Sequence, residues 1–188
     1  MALLTFKGGI HPDDGKRLAK DKAIVEVMPE GDLVFPLSQH IGAPAAPIVK
    51  VGDQVLKGQK IAEAGGFVSA PVYSSVSGKV KAIAPYFTPT GGKVSSIIIE
   101  NDGTYTEAER LNTRSLDLIT KEEILNLISE AGIVGMGGAG FPTRVKLSPK
   151  EPEKIEYVIA NCAECEPYIT ADYRRMLENP EELVEGMR

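Results

Sequence analysis

No stretch of this sequence stays apolar for long. The longest such stretches, around residues 94–99 and 155–160, fall far short of the roughly 20 residues that a spanning helix requires. The N-terminus, Met1-Ala-Leu-Leu-Thr-Phe-Lys, has neither the apolar core nor the cleavage motif of a signal peptide. Any membrane association is therefore expected to run through a partner protein. No Lys/Arg run is dense enough for nucleic acid, and a net charge of −5 points the same way. Cysteine is scarce. Cys162 and Cys165, in Cys-Ala-Glu-Cys, are the whole complement. One pair makes no disulfide framework, so a cytosolic compartment with both thiols reduced is expected.

What is there reads as globular: 43% hydrophobic and 25% charged over 188 residues, a length that allows one domain or two. Two grammars divide the chain. Residues 1–100 are rich in Gly, Pro and Val, and predict short strands at 23–28, 47–51, 60–64, 79–84 and 95–100, separated by glycine turns. Residues 101–119 are polar without a period and read as a linker. From 120 onward the pattern turns helical. Thr120-Lys-Glu-Glu123 is a capping box, followed by Ile124, Leu127, Ile128 and Ala131 at helical spacing, with Gly132 as the stop. Residues 155–160 predict a buried strand of a parallel sheet. A helix is expected at 171–177 behind a Thr170 cap, and another behind Asn179, with Pro180 first and Glu182 completing a second box. That last helix is too short to hold itself together, so residues 120–188 are expected to be a domain cut in mid-fold.

The segment 48–83 carries a Gly-Asp turn, a Lys-Gly-Gln turn, Ser69-Ala-Pro and a closing Gly-Lys-Val strand. It resembles the barrel-sandwich hybrid of biotinyl and lipoyl carrier domains. Carriers present a lysine at the intervening hairpin tip. Here the tip reads Ala64-Gly65-Gly66-Phe67-Val68, with no amine to modify, so a rigid docking or spacer module is the expectation.

Gly135-Met-Gly137-Gly138-Ala-Gly140-Phe141-Pro142 is the most informative stretch. Glycines let backbone N–H groups approach a phosphate or a flat ring, although a tight packing loop needs them too. The stretch contains G-x-G-x-x-G in the wrong context for a Rossmann site, because a capped helix rather than a strand precedes it. Lys146 follows six residues after Gly140 and can offer a cation to a phosphate. Asn161, Glu164 and Glu166 follow the expected strand, where an amide and two carboxylates can bond ribose hydroxyls, a carboxamide or flavin N–H groups.

Taken together, 132–146 and 161–172 resemble the NADH-binding flavoprotein subunit of respiratory complex I. The fuller resemblance is to the RnfC subunits of Rnf-type electron transport complexes. It is carried by Phe-Lys-Gly-Gly-Ile-His-Pro at 6–12, Pro-Leu-x-Gln-His-Ile-Gly at 36–42, the lysine-less barrel-sandwich, and Glu-Cys-Glu-Pro-Tyr-Ile-Thr-Ala-Asp at 164–172. It runs the whole chain in order. The fold class it implies is α+β, an N-terminal β-rich barrel-sandwich hybrid followed by the start of an α/β flavin- and NADH-binding domain.

In function, the resemblance implies a peripheral part of a membrane-bound ferredoxin:NAD oxidoreductase coupled to Na⁺ or H⁺ translocation, on the cytoplasmic face of the membrane. The other subunits would be direct partners and ferredoxin an indirect one. Gly135, Gly137, Gly138 and Gly140 would hold FMN, with Lys146 at its phosphate or ribityl side. Asn161 and Glu164 would border the isoalloxazine, while Phe141 and Glu166 would face NAD(H). Two departures stand out. Ala163 replaces an Asp of complex I, and the cysteine clusters that hold two [4Fe–4S] centres in the family are not in these residues. Cys162 and Cys165 are half a metal site at most, and a thiol pair packed near the ligand is the expectation. His11 and His40 are expected to be structural, Arg174 and Arg175 solvated, and Asp172 to favour a helix N-terminus. A docking module without activity is the competing reading. So is a cobalamin-reductase flavoprotein with the same modules, although the barrel-sandwich standing first argues against it.

Overall fold

The computed structural model describes residues 12–89, 91–109, 118–136 and 138–188. They fall into two compact units. One is Met28–Pro152, and in the other the chain up to Val27 joins Glu153–Arg188.

The larger unit holds strands β1 (Asp32–Pro36), β2 (Ala46–Pro47), β3 (Gln54–Val55), β4 (Lys60–Glu63), β5 (Val72–Tyr73), β6 (Gly78–Phe87) and β7 (Lys93–Asn101). They form two antiparallel sheets, ordered β1-β7-β6-β3 and β2-β4-β5. The period of two decides which side chains go in. Ile97 and Ile99 on β7 are fully buried, as is Val80 on β6, while Lys79 and Lys81 point out. Phe35, Val55, Ile61 and Val72 from four other strands join them in one core shared by both sheets. Burying each such side chain is worth about 1.5–3 kcal/mol. Gly78 is required by close approach, since a Cβ there would lie 2.0 Å from the Glu100 carbonyl oxygen.

The strands expected at 60–64, 79–84 and 95–100 lie on β4, β6 and β7, and the one at 47–51 shrinks to β2. No strand forms at 23–28, where Val25 and Val27 are 77% and 80% exposed. Alternation alone does not make a strand without a neighbour to bond. The edge next to β7 is taken instead by β1, with Val34 opposite Ile98.

Helix α1 (Lys121–Glu130) starts as its sequence dictates. Thr120 Oγ1 accepts from the Glu123 N–H, and the Glu123 carboxylate accepts from the Thr120 N–H at 2.9 Å. It ends in a Schellman motif, with Ile133 N–H bonded to Ile128 O, Gly132 N–H to Ser129 O, and Gly132 at φ +67°. Its one buried residue is Leu125, one position off the stripe expected from spacing. Lys60 from β4 pairs with Glu130 at 2.5 Å, and the Tyr73 hydroxyl donates to the Glu130 carbonyl. Both tie the helix C-terminus to the sheets, where a cation is electrostatically favoured. The short helix α2 (Thr143–Lys146) is pinned to α1 by Arg144, which donates to Asn126 Oδ1 and Glu122 Oε1. Residues 102–109 are fastened to the sheets as well: Lys57 N–H bonds Thr106 O, Ala108 N–H bonds Lys57 O, and Ser77 donates to Asp102.

The smaller unit contains a 3-10 turn (Lys16–Leu18), helix α3 (Ala171–Glu178) and helix α4 (Pro180–Gly186). Four expectations fail here. Residues 155–160 form no strand and are exposed, with Tyr157, Val158 and Ile159 at 73–83%, because no described strand pairs with them. Thr170 makes no side-chain cap on α3; the Glu164 carboxylate accepts from the Asp172 and Tyr173 N–H groups instead. Nor does the box at Asn179 form, because Glu182 pairs with Arg175. Arg174 is not a solvated side chain either. It bonds Glu178 and the Lys20 carbonyl, and is 17% exposed. Asp172 sits in the first turn of α3, where its charge suits the helix N-terminus.

Candidate functional site

The glycine loop lies in the larger unit and is closed at its base. Gly135 N–H donates to Phe141 O at 2.8 Å, Thr143 N–H donates to Ile133 O, and Val134 bridges Pro142. Its far side rests on the segment 39–41. Ile41 N–H donates to Ala139 O at 2.8 Å, and a Cβ on Gly140 would meet Gln39 O at 2.8 Å and His40 Cα at 2.9 Å. His40 in turn is fixed by the backbone. Its Nε2 lies 3.0 Å from Ala70 N and 3.3 Å from Ala70 O, and its Nδ1 faces Ile41 O at 3.1 Å, so both ring nitrogens are held by main-chain groups. His40 is therefore structural, as expected, and His11 lies outside the described residues.

Of the predicted cofactor residues, Gly135, Gly138, Gly140, Phe141 and Lys146 are brought together on this loop and on α2; Gly137 lies outside the described residues. The Lys146 ammonium sits 3.8 Å from where a Gly135 Cβ would be, and it makes no ion pair among the described residues. Gly138, at φ +134°, has no atom within 4 Å of its Cβ position. Among the described residues, the Gly138 and Ala139 N–H groups find no acceptor. Backbone donors exposed on a positive-φ loop beside a cation fit the oxygens of a phosphate. The bed of the loop, Gln39 to Ile41, was not singled out as part of a site. The one signal for it was its place in the Pro-Leu-x-Gln-His-Ile-Gly motif.

Asn161, Glu164 and Glu166 lie together in the smaller unit. Asn161 Oδ1 accepts from the Ala163 N–H at 3.1 Å, a local turn that leaves its amide N–H₂ to donate elsewhere. Glu164 is the buried member, its side chain 6% exposed, with both oxygens spent on the N-terminus of α3. Glu166 is exposed and makes no ion pair among the described residues. Cys162 and Cys165 are both free. Among the described residues, no group of three His, Cys, Asp or Glu side chains is placed to hold a metal, and no helix is long and apolar enough to cross a membrane.

Residues 4–104 match the RnfC barrel sandwich hybrid domain. The chain belongs to the RnfC family. Residues 128–188, which include the glycine loop and the Asn161 to Glu166 segment, match the Nuo51 FMN-binding domain. The RnfC-family assignment agrees with similar proteins, each of them the C subunit of its complex. The sequence is 50% identical over 188 residues to that of the proton-translocating ferredoxin:NAD(+) oxidoreductase complex of Clostridium ljungdahlii, covering 99% of this chain and 41% of that protein. It is 43% identical over 185 residues to the Na(+)-translocating counterpart of Acetobacterium woodii, covering 98% and 42%. The counterpart in the ion-translocating oxidoreductase complex of Haemophilus influenzae is 38% identical over 188 residues, covering 99% and 29%. This RnfC-family chain thus spans well under half the length of these relatives. Its architecture, a barrel-sandwich hybrid followed by a flavin-type region, is the mixed α+β fold expected.

Proposed function

We propose that this chain is the FMN- and NAD(H)-handling front part of the RnfC subunit of an ion-translocating ferredoxin:NAD oxidoreductase complex. The observation that carries the reading is the glycine loop, inside a region similar to an FMN-binding domain: its Gly138 and Ala139 N–H groups find no acceptor among the described residues, and its Gly135 lies next to the Lys146 ammonium. Gly135, Gly137, Gly138 and Gly140 line the flavin cradle, with Lys146 at the phosphate end. Asn161 and Glu164 border the ring side, Glu164 by shaping the segment it anchors. Phe141 and Glu166 face the dinucleotide, by stacking and by hydrogen bonding. FMN exchanges a hydride with NAD(H) and single electrons with iron–sulfur centres. Two [4Fe–4S] clusters belong to the longer protein in this reading.

The other subunits of the complex are the partners, with ferredoxin reached through them. The site of action is the cytoplasmic face of the membrane, with attachment through those subunits. The domain plan that goes with this is residues 1–100 as barrel-sandwich, 101–119 as connection and 120–188 as the first part of the flavin domain.

The test is an FMN fluorescence-quenching titration of this chain, of the protein extended to the length of its relatives, and of the extended protein carrying Gly138→Val. Binding by the extended wild type and its loss in the variant is the expected result. Stoichiometric FMN in Gly138→Val would refute the assigned loop. No binding by the extended wild type would leave the docking-module reading in its place.

A further inference from the structure

In the smaller unit, the segment 164–170 carries both Glu166 and a strained residue. Tyr168 sits at φ +66°, a conformation that bulky side chains avoid. The carbonyl oxygens on either side of it, from Glu166 and Ile169, both accept from a single group, Lys16 Nζ, at 3.2 and 2.7 Å. The Glu164 carboxylate stands beyond hydrogen-bond reach, Oε2 at 3.9 Å from the same nitrogen, and adds an ion pair. Two of the three ammonium donors are therefore spent on main-chain carbonyls of this one turn. The rest of the turn completes the grip. Tyr168 N–H donates to Asp14 O, and Gly15 leaves room for the Tyr168 ring where a Cβ would come within 2.3 Å.

We propose that Lys16 is a positioning residue for the dinucleotide side of the site. Its ammonium fixes the Glu166–Pro167 and Ile169–Thr170 peptide planes, which bracket the turn at Tyr168, and so fixes the direction in which the Glu166 carboxylate is presented. Through its approach to Glu164 it also steadies the carboxylate that caps α3. No motif read from the sequence singles Lys16 out, and 150 residues separate it from Glu166. The inference rests on the FMN and NAD(H) reading and adds to it a residue from the other end of the chain.

The experiment uses the protein extended to the length of its relatives, as wild type, Lys16→Met and Lys16→Arg. Two quantities are measured: hydrogen exchange at the amides of Tyr168, Asp172 and Tyr173, and KM against kcat for NADH-dependent dye reduction. Lys16→Met is expected to speed the exchange and to raise KM for NADH by about tenfold, the equivalent of roughly 1.4 kcal/mol, with kcat and FMN content little changed. Lys16→Arg is expected to restore both, because a guanidinium can also donate to two carbonyls. Unchanged exchange in Lys16→Met overturns the proposal whatever KM does. Faster exchange with an unchanged KM, or an arginine variant no better than the methionine one, overturns the role at the site. A wild type without FMN or NADH oxidation fails the cofactor reading, and the dinucleotide half of the proposal with it, before any variant is made.

Discussion

One added methyl at Gly140 would land within 2.9 Å of two backbone atoms, Gln39 O and His40 Cα, on a residue already at φ +62°. Backbone atoms cannot rotate aside as a side chain can. Gly140→Ala is therefore expected to cost about 2 kcal/mol of stability, read as a lower urea midpoint. At Gly138 the Cβ position is open but φ is +134°, so a side chain there would meet no neighbour and would strain only the backbone of the loop that presents the N–H groups. A second residue carries a pH dependence. The hydrogen bond from Arg174, followed by that from the Ile24 N–H, holds the Glu178 carboxyl below its ordinary value of 4.5. A carboxyl lowered in the folded state stabilises above its unfolded value, and that stability is lost as the pH falls through the folded one. Thermal melts from neutral pH down to about pH 3.5 should show the wild type losing more stability than Glu178→Gln. Equal losses would detach Glu178 from acid unfolding.

At the level of elements, helix α1 offers the cleanest test, because both halves of its capping box are formed. Thr120→Ala should cost about 1 kcal/mol in chemical denaturation, and Thr120→Ser far less. That box was legible in the sequence because its partners are three residues apart. The Schellman stop at Gly132 was legible for the same reason. The strands expected at 23–28 and 155–160 show the opposite case. Their composition suits a sheet, but a strand exists only through a neighbour that local sequence does not name. Sequence also misjudged two caps by considering only the nearest candidate. Thr170 and Asn179 stand in the right places, but Glu164 and Arg175 offer a distant carboxylate and a rival partner. Half of the candidate site was readable in this way. The glycine loop announces itself in composition, whereas its bed at Gln39 to Ile41 and the hold of Lys16 on the 164–170 segment depend on contacts between distant parts of the chain.

On the scale of the whole molecule, the barrel-sandwich strands and the glycine loop belong to one compact unit, Met28–Pro152. A barrel that served only to dock would be removable without loss of flavin. Here its removal takes away the surface on which Ala139 and Gly140 rest. In the protein extended to the length of its relatives, deletion of residues 1–100 is expected to abolish FMN binding along with membrane attachment. Retained FMN would restore the separable docking module. The loop and its bed are in this respect a single structural object, although the sequence writes them about a hundred residues apart.

The smaller unit has a consequence for biosynthesis. Lys16 leaves the ribosome 153 residues before Ile169, the carbonyl it grips most closely. At translation rates of about 5–20 residues per second, that gap lasts on the order of ten seconds. During it every strand of both sheets is made, while the two carbonyls that Lys16 holds do not yet exist. Lys16 thus waits longer for its acceptors than any strand of the sheets waits for its neighbour, and a nascent chain stalled before residue 166 leaves that ammonium without either carbonyl it grips.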